Sequence, residues 1–212
     1  MVEKDKKINI AFNGFGRIGR NLIRKLINNT KYNIVAINAR TTASVRAHLF
    51  KYDSIHGHFD GTIETELDNL IINGKTIPNF DRSTPKKLPW EELEVDYVID
   101  STGKFTDYHS LHQHIEAGAK NVIVTSPAKD VDATLVYGVN ETDYKLKENN
   151  IISASSCTTT CLTPVLKVLQ KHYGIKQGYI TTTHSFTMGQ TLLDSSHPDL
   201  RRARAATLSM IP

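Results

Sequence analysis

The chain has 212 residues, of which 39% are hydrophobic and 23% charged, and this is the composition of an ordinary soluble globular protein. Its net charge of +4, from 26 basic and 22 acidic residues, is too mild and too evenly spread to indicate nucleic-acid binding. It has no apolar run of about eighteen residues and no signal-peptide pattern, so we expect a cytoplasmic protein that binds no membrane.

The first predicted unit is a strand, a tight turn and a helix. Residues 8–12 are mostly apolar and predict a buried strand. After the turn, apolar side chains recur at helical spacing, which predicts a helix. A second apolar run at residues 34–37 predicts the next strand. A strand, a crossover helix and a second strand form a βαβ unit, which is right-handed in nearly all proteins.

Gly14, Gly16 and Gly19 form the pattern G-x-G-x-x-G at this turn. The first glycine permits the tight turn, the second lets the backbone approach a pyrophosphate, and the third lets the helix pack on the strand. The helix N-terminus offers N–H groups and a positive dipole end to phosphates. With a strand before it and a helix after it, the motif predicts a dinucleotide site; the alternative is a glycine-rich turn without a ligand.

The end of the second strand bears on the identity of the cofactor. A carboxylate usually stands there to bind the adenosine ribose hydroxyls, but this chain has Ala39 and Arg40. Without the carboxylate a ribose 2′-phosphate meets no repulsion, and an arginine can bind that phosphate bidentately. We therefore expect NADP or NAD, with NADP favoured. The alternative is that Arg40 points to solvent and NAD binds through other contacts.

The middle of the chain alternates short apolar runs with a helical stretch. Strands are predicted at residues 97–100, 122–125 and 134–138, with a helix at residues 109–120, and this alternation is typical of a parallel sheet with helices on both faces. Asn73 and Gly74 lie between two apolar runs and predict a hairpin. We place that hairpin as an antiparallel excursion at the edge of the sheet.

The organisation changes after residue 150. A short strand at residues 151–153 leads through a Ser/Thr-rich turn into a helix that ends at Gly174, and residues 178–187 predict a further strand before a long polar loop. The fold class is therefore α/β: a Rossmann doubly wound, mostly parallel sheet, followed by the start of a truncated α+β catalytic domain. We place a dinucleotide-binding domain at residues 1–155 and the N-terminal part of a catalytic domain at residues 156–212.

Cys157 is the candidate nucleophile, because it lies where a strand gives way to a helix N-terminus, which favours the thiolate. The alternative is a buried structural cysteine. His184 ends the next predicted strand, and an imidazole beside a thiol can activate it. Cys161 is predicted to be a packed core thiol. Two cysteines alone make a poor zinc site, so no metal is expected.

Six segments carry a family resemblance: GFGRIGR, KYDSIHG, DSTGKF, SSCTTTC, THSFT and DLRRARAA. In this order they resemble the phosphorylating glyceraldehyde-3-phosphate dehydrogenases, over residues 7–212. The resemblance implies that Cys157 attacks an aldehyde to give a thiohemiacetal and that His184 takes the hydroxyl proton as hydride leaves to the nicotinamide. Inorganic phosphate then cleaves the thioester and releases an acyl phosphate.

The resemblance also implies the contacts of cofactor and substrate. The residues that match contacts of the pyrophosphate, the adenine and the nicotinamide are, in that order, Arg17 and Ile18; Arg82; and Ser101, Thr102, Gly103 and Thr125. The residues that match contacts of the attacking phosphate are Ser156 and Thr158, and those that match contacts of the substrate's own phosphate are Thr187 and Arg202, with Arg201 and Arg204 as alternatives.

Further comparison with the family favours NADP and leaves two rival functions open. Ser195 and Ser196 resemble the two small residues that NADP-using members have at this position, whereas NAD-specific members have Leu-Pro there. Thr160 replaces an asparagine usual in the family, and erythrose-4-phosphate dehydrogenase is the closest rival. Since the family continues with most of its catalytic sheet, a truncated non-catalytic nucleotide-binding paralogue is the other alternative. The resemblance implies a homotetramer for the complete chain.

Overall fold

The computed structural model describes residues 6–145, 148, 150–208 and 210. The strands described are β1 (Ile8–Asn13), β2 (Tyr32–Asn38), β3 (Tyr52–Asp53), β4 (Gly57–His58), β5 (Ile63–Glu66), β6 (Asn69–Ile72), β7 (Lys75–Ile77), β8 (Asn79–Phe80), β9 (Tyr97–Asp100), β10 (Asn121–Val124), β11 (Ala133–Thr134) and β12 (Ile151–Ser153). The α-helices described are α1 (Arg17–Leu26), α2 (Ala43–Lys51), α3 (Tyr108–Glu116) and α4 (Cys157–Tyr173), and there are short 3₁₀ helices at Pro85–Lys87 and Glu141–Asp143.

A seven-stranded parallel sheet forms the centre, in the order β11-β12-β10-β9-β1-β2-β8. Side chains on both faces of this sheet are buried. In β1, Ile10 and Phe12 belong to one apolar cluster, whereas Ala11 lies between them and belongs to another, with Trp90 and Val98. Alternate residues of a strand point to opposite faces, so burial of both sets identifies a sheet covered on both sides. The α/β, Rossmann-like fold class is confirmed.

Most predicted elements of the first 153 residues are found within one or two residues of their predicted bounds. The hairpin at Asn73 and Gly74 is also found, and both residues have positive φ, 50° and 75°, as a two-residue turn of this kind requires. It belongs to a separate antiparallel sheet, β5-β6-β7, and not to the edge of the central sheet. Helix α2, which sequence reasoning missed, follows β2 directly.

The strand predicted at residues 134–138 is too long. The structure has a strand only at Ala133–Thr134. The Asn140 side chain then donates to the Thr134 carbonyl and accepts from the Val136 N–H, at 3.0 and 2.8 Å. These bonds satisfy backbone groups that a continuing ladder would use, and the chain turns at Gly138 with φ +81°.

The described chain divides into two compact units between His172 and Tyr173. The predicted strand at residues 178–187 is wrong: the described residues after Tyr173, where α4 ends, contain no strand or helix. A strand needs a neighbouring strand with which to form a ladder, and none of the described strands pairs with this segment. The polar loop after it is closed by its own backbone bonds, such as Ala206 N–H to Thr191 O at 2.9 Å. The domain boundary predicted after residue 155 stays a prediction.

Candidate cofactor site and nucleophile

The glycine turn between β1 and α1 is shaped by close contact with the end of β9. Gly14 has φ +101°, and a Cβ there would lie 2.9 Å from the backbone carbon of Ser101 and the backbone nitrogen of Thr102. A Cβ on Gly19 would lie 2.6 Å from Ser101 Oγ and 2.7 Å from Gly14 O. Gly14 is therefore required by conformation and by packing, and Gly19, which lies within α1, by packing.

The middle glycine, Gly16, is different because its Cβ position is open, with the nearest atom 3.8 Å away. It is the N-cap of α1, where it supplies no side chain to bond the first N–H groups, and the first turn of the helix has no acidic residue. Such a helix start leaves N–H groups and the positive dipole end facing outward, the arrangement that favours a phosphate.

A pocket of about 330 Å³ lies beside this helix start, at the carboxyl ends of β1, β2 and β9. In an open parallel sheet this edge is where ligands bind. The lining residues are Asn13, Gly14, Phe15, Gly16, Asn38, Ala39, Arg40, Thr41, Arg82, Ser83, Ser101, Thr102, Lys104 and Phe105. Seven of the candidate cofactor residues are thus brought together: Gly14, Gly16, Ala39, Arg40, Arg82, Ser101 and Thr102.

The other candidate cofactor residues lie outside the pocket lining. Arg17 pairs with Asp53, Ile18 is half exposed, and Gly19 packs under the turn. Gly103 has φ +68° in the loop after β9, and the Thr125 N–H donates to the Asp100 carbonyl at 2.9 Å.

Sequence reasoning missed half of the lining, including Asn13 and Asn38. Asn13 directly follows the apolar run at residues 10–12 and Asn38 that at residues 34–37; each is the last residue of its strand, and both are buried, at 1% and 6% exposure. A polar residue ending a buried parallel strand was the signal that could have found them, since strand ends of this kind meet at the ligand-binding edge.

Hydrogen bonds to the neighbouring strand β8 hold the rim of the pocket at Ala39 and Arg40. The Ala39 N–H donates to Phe80 O at 3.0 Å and to Asn79 Oδ1 at 3.1 Å. Arg40 lies with its Nε 3.5 Å from Oδ1 of Asp81, and both side chains are exposed. The arginine therefore borders the pocket with an acidic neighbour that sequence reasoning did not expect.

Asp53 forms an ion pair with Arg17, the first residue of α1 after the glycine turn. Replacing Asp53 by asparagine should make the stability of the first unit less sensitive to acid. The N–H groups of His56 and Ile55, followed by the Arg17 guanidinium, hold the pKa of the Asp53 carboxyl well below its usual range. A depressed pKa contributes stability that is present above the unfolded-state value of about 4 and is lost as the pH falls toward the folded-state value.

The free energy of unfolding should therefore fall less steeply below about pH 4 in Asp53→Asn than in the unmodified protein. Urea unfolding at a series of pH values measures this, with Asp60→Asn, a change at an exposed aspartate, as the control. Equal pH slopes for Asp53→Asn and the unmodified protein would contradict the assignment.

Cys157 is the first residue of α4 and is exposed. Ser156 caps this helix: its Oγ accepts from the Thr159 N–H at 3.0 Å, and its carbonyl accepts from the Thr160 N–H at 2.8 Å. The thiol thus lies in the first turn, where the dipole favours a thiolate. Thr158 follows it, half-buried. Cys161 is exposed, so the prediction of a packed core thiol is wrong: no described residue of α4 is buried.

His184, Thr187 and Arg202 belong to the second unit. His184 is exposed, with Nδ1 2.6 Å from the carbonyl of Ser185. The Thr187 N–H donates to Gln190 Oε1 at 2.9 Å, and Arg202 Nε is 3.8 Å from Asp199 Oδ2. Cys157 belongs to the first unit, so its pairing with His184 stays a prediction.

Two features are absent from the described residues. None of their helices is long and apolar enough to cross a bilayer. No three His, Cys, Asp or Glu side chains among them are grouped as metal ligands would be.

The fold and the pocket define a dinucleotide-binding protein of the Rossmann class, and sequence comparison identifies its family. Residues 8–108 match the glyceraldehyde 3-phosphate dehydrogenase NAD binding domain, and residues 156–212 match the C-terminal domain of the same enzyme. The chain therefore belongs to the glyceraldehyde-3-phosphate dehydrogenase family, a family of oxidoreductases that has a nicotinamide-dinucleotide domain.

Curated relatives agree with this assignment. The chain is 48% identical to glyceraldehyde-3-phosphate dehydrogenase 2 of Bacillus subtilis over 206 residues, which is 97% of this chain and 61% of the relative. It is 48% identical to the Geobacillus stearothermophilus enzyme and 49% identical to glyceraldehyde-3-phosphate dehydrogenase 2 of Nostoc, again over 97% of this chain. The chain spans about 61% of the length of the first two.

Proposed function

We propose that the chain carries the cofactor site and the nucleophile of a phosphorylating glyceraldehyde-3-phosphate dehydrogenase that works in glycolysis or gluconeogenesis. The observation that carries this proposal is the pocket formed beside the Gly14–Gly19 turn, in a chain of this family. A dinucleotide fits the groups present. An alanine methyl would collide with backbone at Gly14, and the α1 start presents N–H groups with no side-chain cap.

In the proposed reaction, His184 takes the proton of the Cys157 thiol, and the thiolate attacks the aldehyde carbon of glyceraldehyde 3-phosphate, which forms a C–S bond and breaks the C=O π bond. The protonated His184 gives its proton to the resulting alkoxide, and takes that hydroxyl proton back as the carbon is oxidised. A nicotinamide dinucleotide held beside the Gly14–Gly19 turn would supply the hydride acceptor for that carbon, and oxidation leaves a thioester on Cys157. An oxygen of inorganic phosphate then attacks the thioester carbon, the C–S bond breaks, and 1,3-bisphosphoglycerate leaves with the thiolate restored. Ser156, Thr158, Thr187 and Arg202 are the proposed contacts of the two phosphates.

Titration of the protein with NADP and NAD, followed by a turnover assay with glyceraldehyde 3-phosphate and phosphate, tests the proposal. We expect saturable binding of both nucleotides, NADP more tightly, and formation of NADPH that requires phosphate. Erythrose 4-phosphate, the rival substrate, should be oxidised more slowly at equal concentration. Sedimentation of the complete enzyme tests the proposed homotetramer. If neither nucleotide bound, the proposal would be contradicted.

A second candidate, a non-catalytic nucleotide-binding module, is favoured by one observation. The segment that carries His184 forms no strand among the described residues, and its residues are exposed. The imidazole is exposed as well, with Nδ1 2.6 Å from the Ser185 carbonyl of its own segment, whereas a catalytic base must be held in position toward its substrate. Nucleotide binding without any turnover would support this second candidate.

The proposed NADP preference predicts that Ala39→Asp will reverse it. A carboxylate at this position would repel the 2′-phosphate of NADP and accept hydrogen bonds from the ribose hydroxyls of NAD. Asp81 already competes with that phosphate for Arg40, so the starting preference should be modest. We expect the dissociation constant for NADP to rise at least about tenfold while that for NAD falls.

Ser44→Asp is the control for this change, because Ser44 is exposed on α2 near the rim but outside the pocket lining. It adds the same charge and should leave the ratio of the two dissociation constants within about twofold. The proposed role of Ala39 is wrong if the two variants shift that ratio equally.

A further inference from the structure

Three polar side chains stand in register at the carboxyl ends of adjacent strands beneath the pocket. Asn13 of β1 pairs with Asn38 of β2 on one side and with Asp100 of β9 on the other. All three side chains are buried, at 1%, 6% and 0% exposure. Asn38 Nδ2 donates to Asn13 Oδ1 and Asn13 Nδ2 donates to Asp100 Oδ2, each at 2.7 Å. We name these three residues the strand-end ladder.

The ladder is bonded to the segments that line the pocket. Asn38 accepts from the Arg82 N–H at 2.9 Å and donates to the Arg82 carbonyl at 2.9 Å. Asp100 Oδ1 accepts from the Thr102 N–H at 3.0 Å and from the Thr102 hydroxyl at 2.7 Å. The last residues of β1, β2 and β9 and the segments after β8 and β9 are thus connected by one hydrogen-bonded network.

His114 of α3 holds the charged end of the ladder. It is fully buried, and its Nδ1 lies 2.9 Å from the indole nitrogen of Trp90. An indole N–H can only donate, so Nδ1 accepts and the proton of the neutral ring is on Nε2. Nε2 lies 3.3 Å from Asp100 Oδ2 and donates to it. Trp90 therefore fixes the tautomer that gives the carboxylate its fourth hydrogen bond.

We propose that Asp100 and His114 are positioning residues that preform the nucleotide pocket by holding the Thr102 turn and, through Asn13 and Asn38, the Arg82 segment. A buried carboxylate is tolerated only while its lone pairs are satisfied, so each donor around Asp100 is fixed in place by the others. This inference rests on the proposed function for the identity of the ligand. How firmly the Thr102 turn is held is a separate property, which can be measured without a ligand.

Substitutions at His114 separate positioning from simple core filling. In His114→Gln the amide nitrogen can take the place of Nε2 and donate to Asp100, whereas in His114→Asn the shorter side chain reaches Trp90 and leaves Asp100 one donor short. Trp90→Phe removes the indole donor without touching the carboxylate. Asp100→Asn puts an amide N–H₂ opposite either Thr102 or the Asn13 and His114 donors, so one pair must separate.

The experiment measures amide hydrogen exchange at Thr102 and Arg82 by NMR in the nucleotide-free protein, together with NADP and NAD dissociation constants. We expect Asp100→Asn and His114→Asn to speed Thr102 exchange and weaken nucleotide binding by about tenfold or more. His114→Gln should restore both properties to within about threefold of the unmodified protein. Trp90→Phe should lower the urea midpoint but change nucleotide affinity less than His114→Asn.

Unchanged Thr102 exchange in both Asp100→Asn and His114→Asn would overturn the inference. It would also be overturned if His114→Gln lost as much nucleotide affinity as His114→Asn. The loss of affinity would then not depend on a hydrogen-bond donor to Asp100, and His114 would only fill space in the core. If the unmodified protein bound neither nucleotide, the proposed function would fail. The exchange rates at Thr102 would still decide the positioning role.

Discussion

Replacing Gly14 by alanine should abolish nucleotide binding and destabilise the first unit by about 3 kcal/mol. The new methyl group would lie 2.9 Å from backbone atoms of Ser101 and Thr102, which cannot rotate away as a side chain can. The residue would also have to hold a φ of +101°, which L-residues other than glycine rarely adopt. Relief of the clash requires β1 and the end of β9 to separate, and that opens the pocket.

Gly138→Ala is the matched control for Gly14→Ala. Gly138 has a φ of +81°, and nothing lies within 4 Å of its Cβ position, so the substitution adds conformational strain without a clash. We expect it to cost about 1 kcal/mol and to leave nucleotide affinity unchanged. Urea unfolding followed by circular dichroism and a nucleotide titration measure the two effects. Tight nucleotide binding by Gly14→Ala would show that the turn is not the phosphate site.

Replacing Cys157 by serine should remove turnover, by on the order of a thousandfold or more, and leave nucleotide binding intact. A serine hydroxyl is not ionised near neutral pH and cannot replace a thiolate without a base held beside it. The measurement is the rate of NADPH formation with glyceraldehyde 3-phosphate and phosphate.

Cys161→Ser provides the comparison for Cys157→Ser. Cys161 lies one turn further along α4, is equally an exposed thiol, and lies beyond the first turn of the helix. Its replacement should change the rate less than about twofold, since the dipole effect falls off within the first turn. If the two serine variants lost turnover equally, Cys157 would not be the nucleophile.

The sequence predicted the parts of the fold that depend on local pattern. Buried parallel strands such as β1 and β9 are largely apolar, and the glycine turn between β1 and α1 has its own spacing, so both could be predicted from the sequence. Strands of two residues, such as β3 and β8, are too short to have a pattern of their own. They exist because a neighbouring strand supplies their hydrogen bonds.

The candidate site was predicted less completely, for a related reason. Gly14, Ala39 and Thr102 were found because their motifs are local or family-specific. Asn13 and Asp81 were missed because their roles depend on strand register and on a neighbouring strand. At residues 178–187 a run of threonines was predicted to be a strand. β-propensity describes how well side chains fit a paired strand, and no described segment pairs with this one.

Trp90 gives this chain an internal spectroscopic label. It is the only tryptophan in the sequence, it is fully buried, and it belongs to the first of the two compact units. Indole emission shifts to longer wavelength when water reaches the ring, so a fluorescence melt follows the first unit alone. Because the ring is bonded to His114, the same signal also responds to rearrangement beneath the pocket while the rest of the unit stays folded.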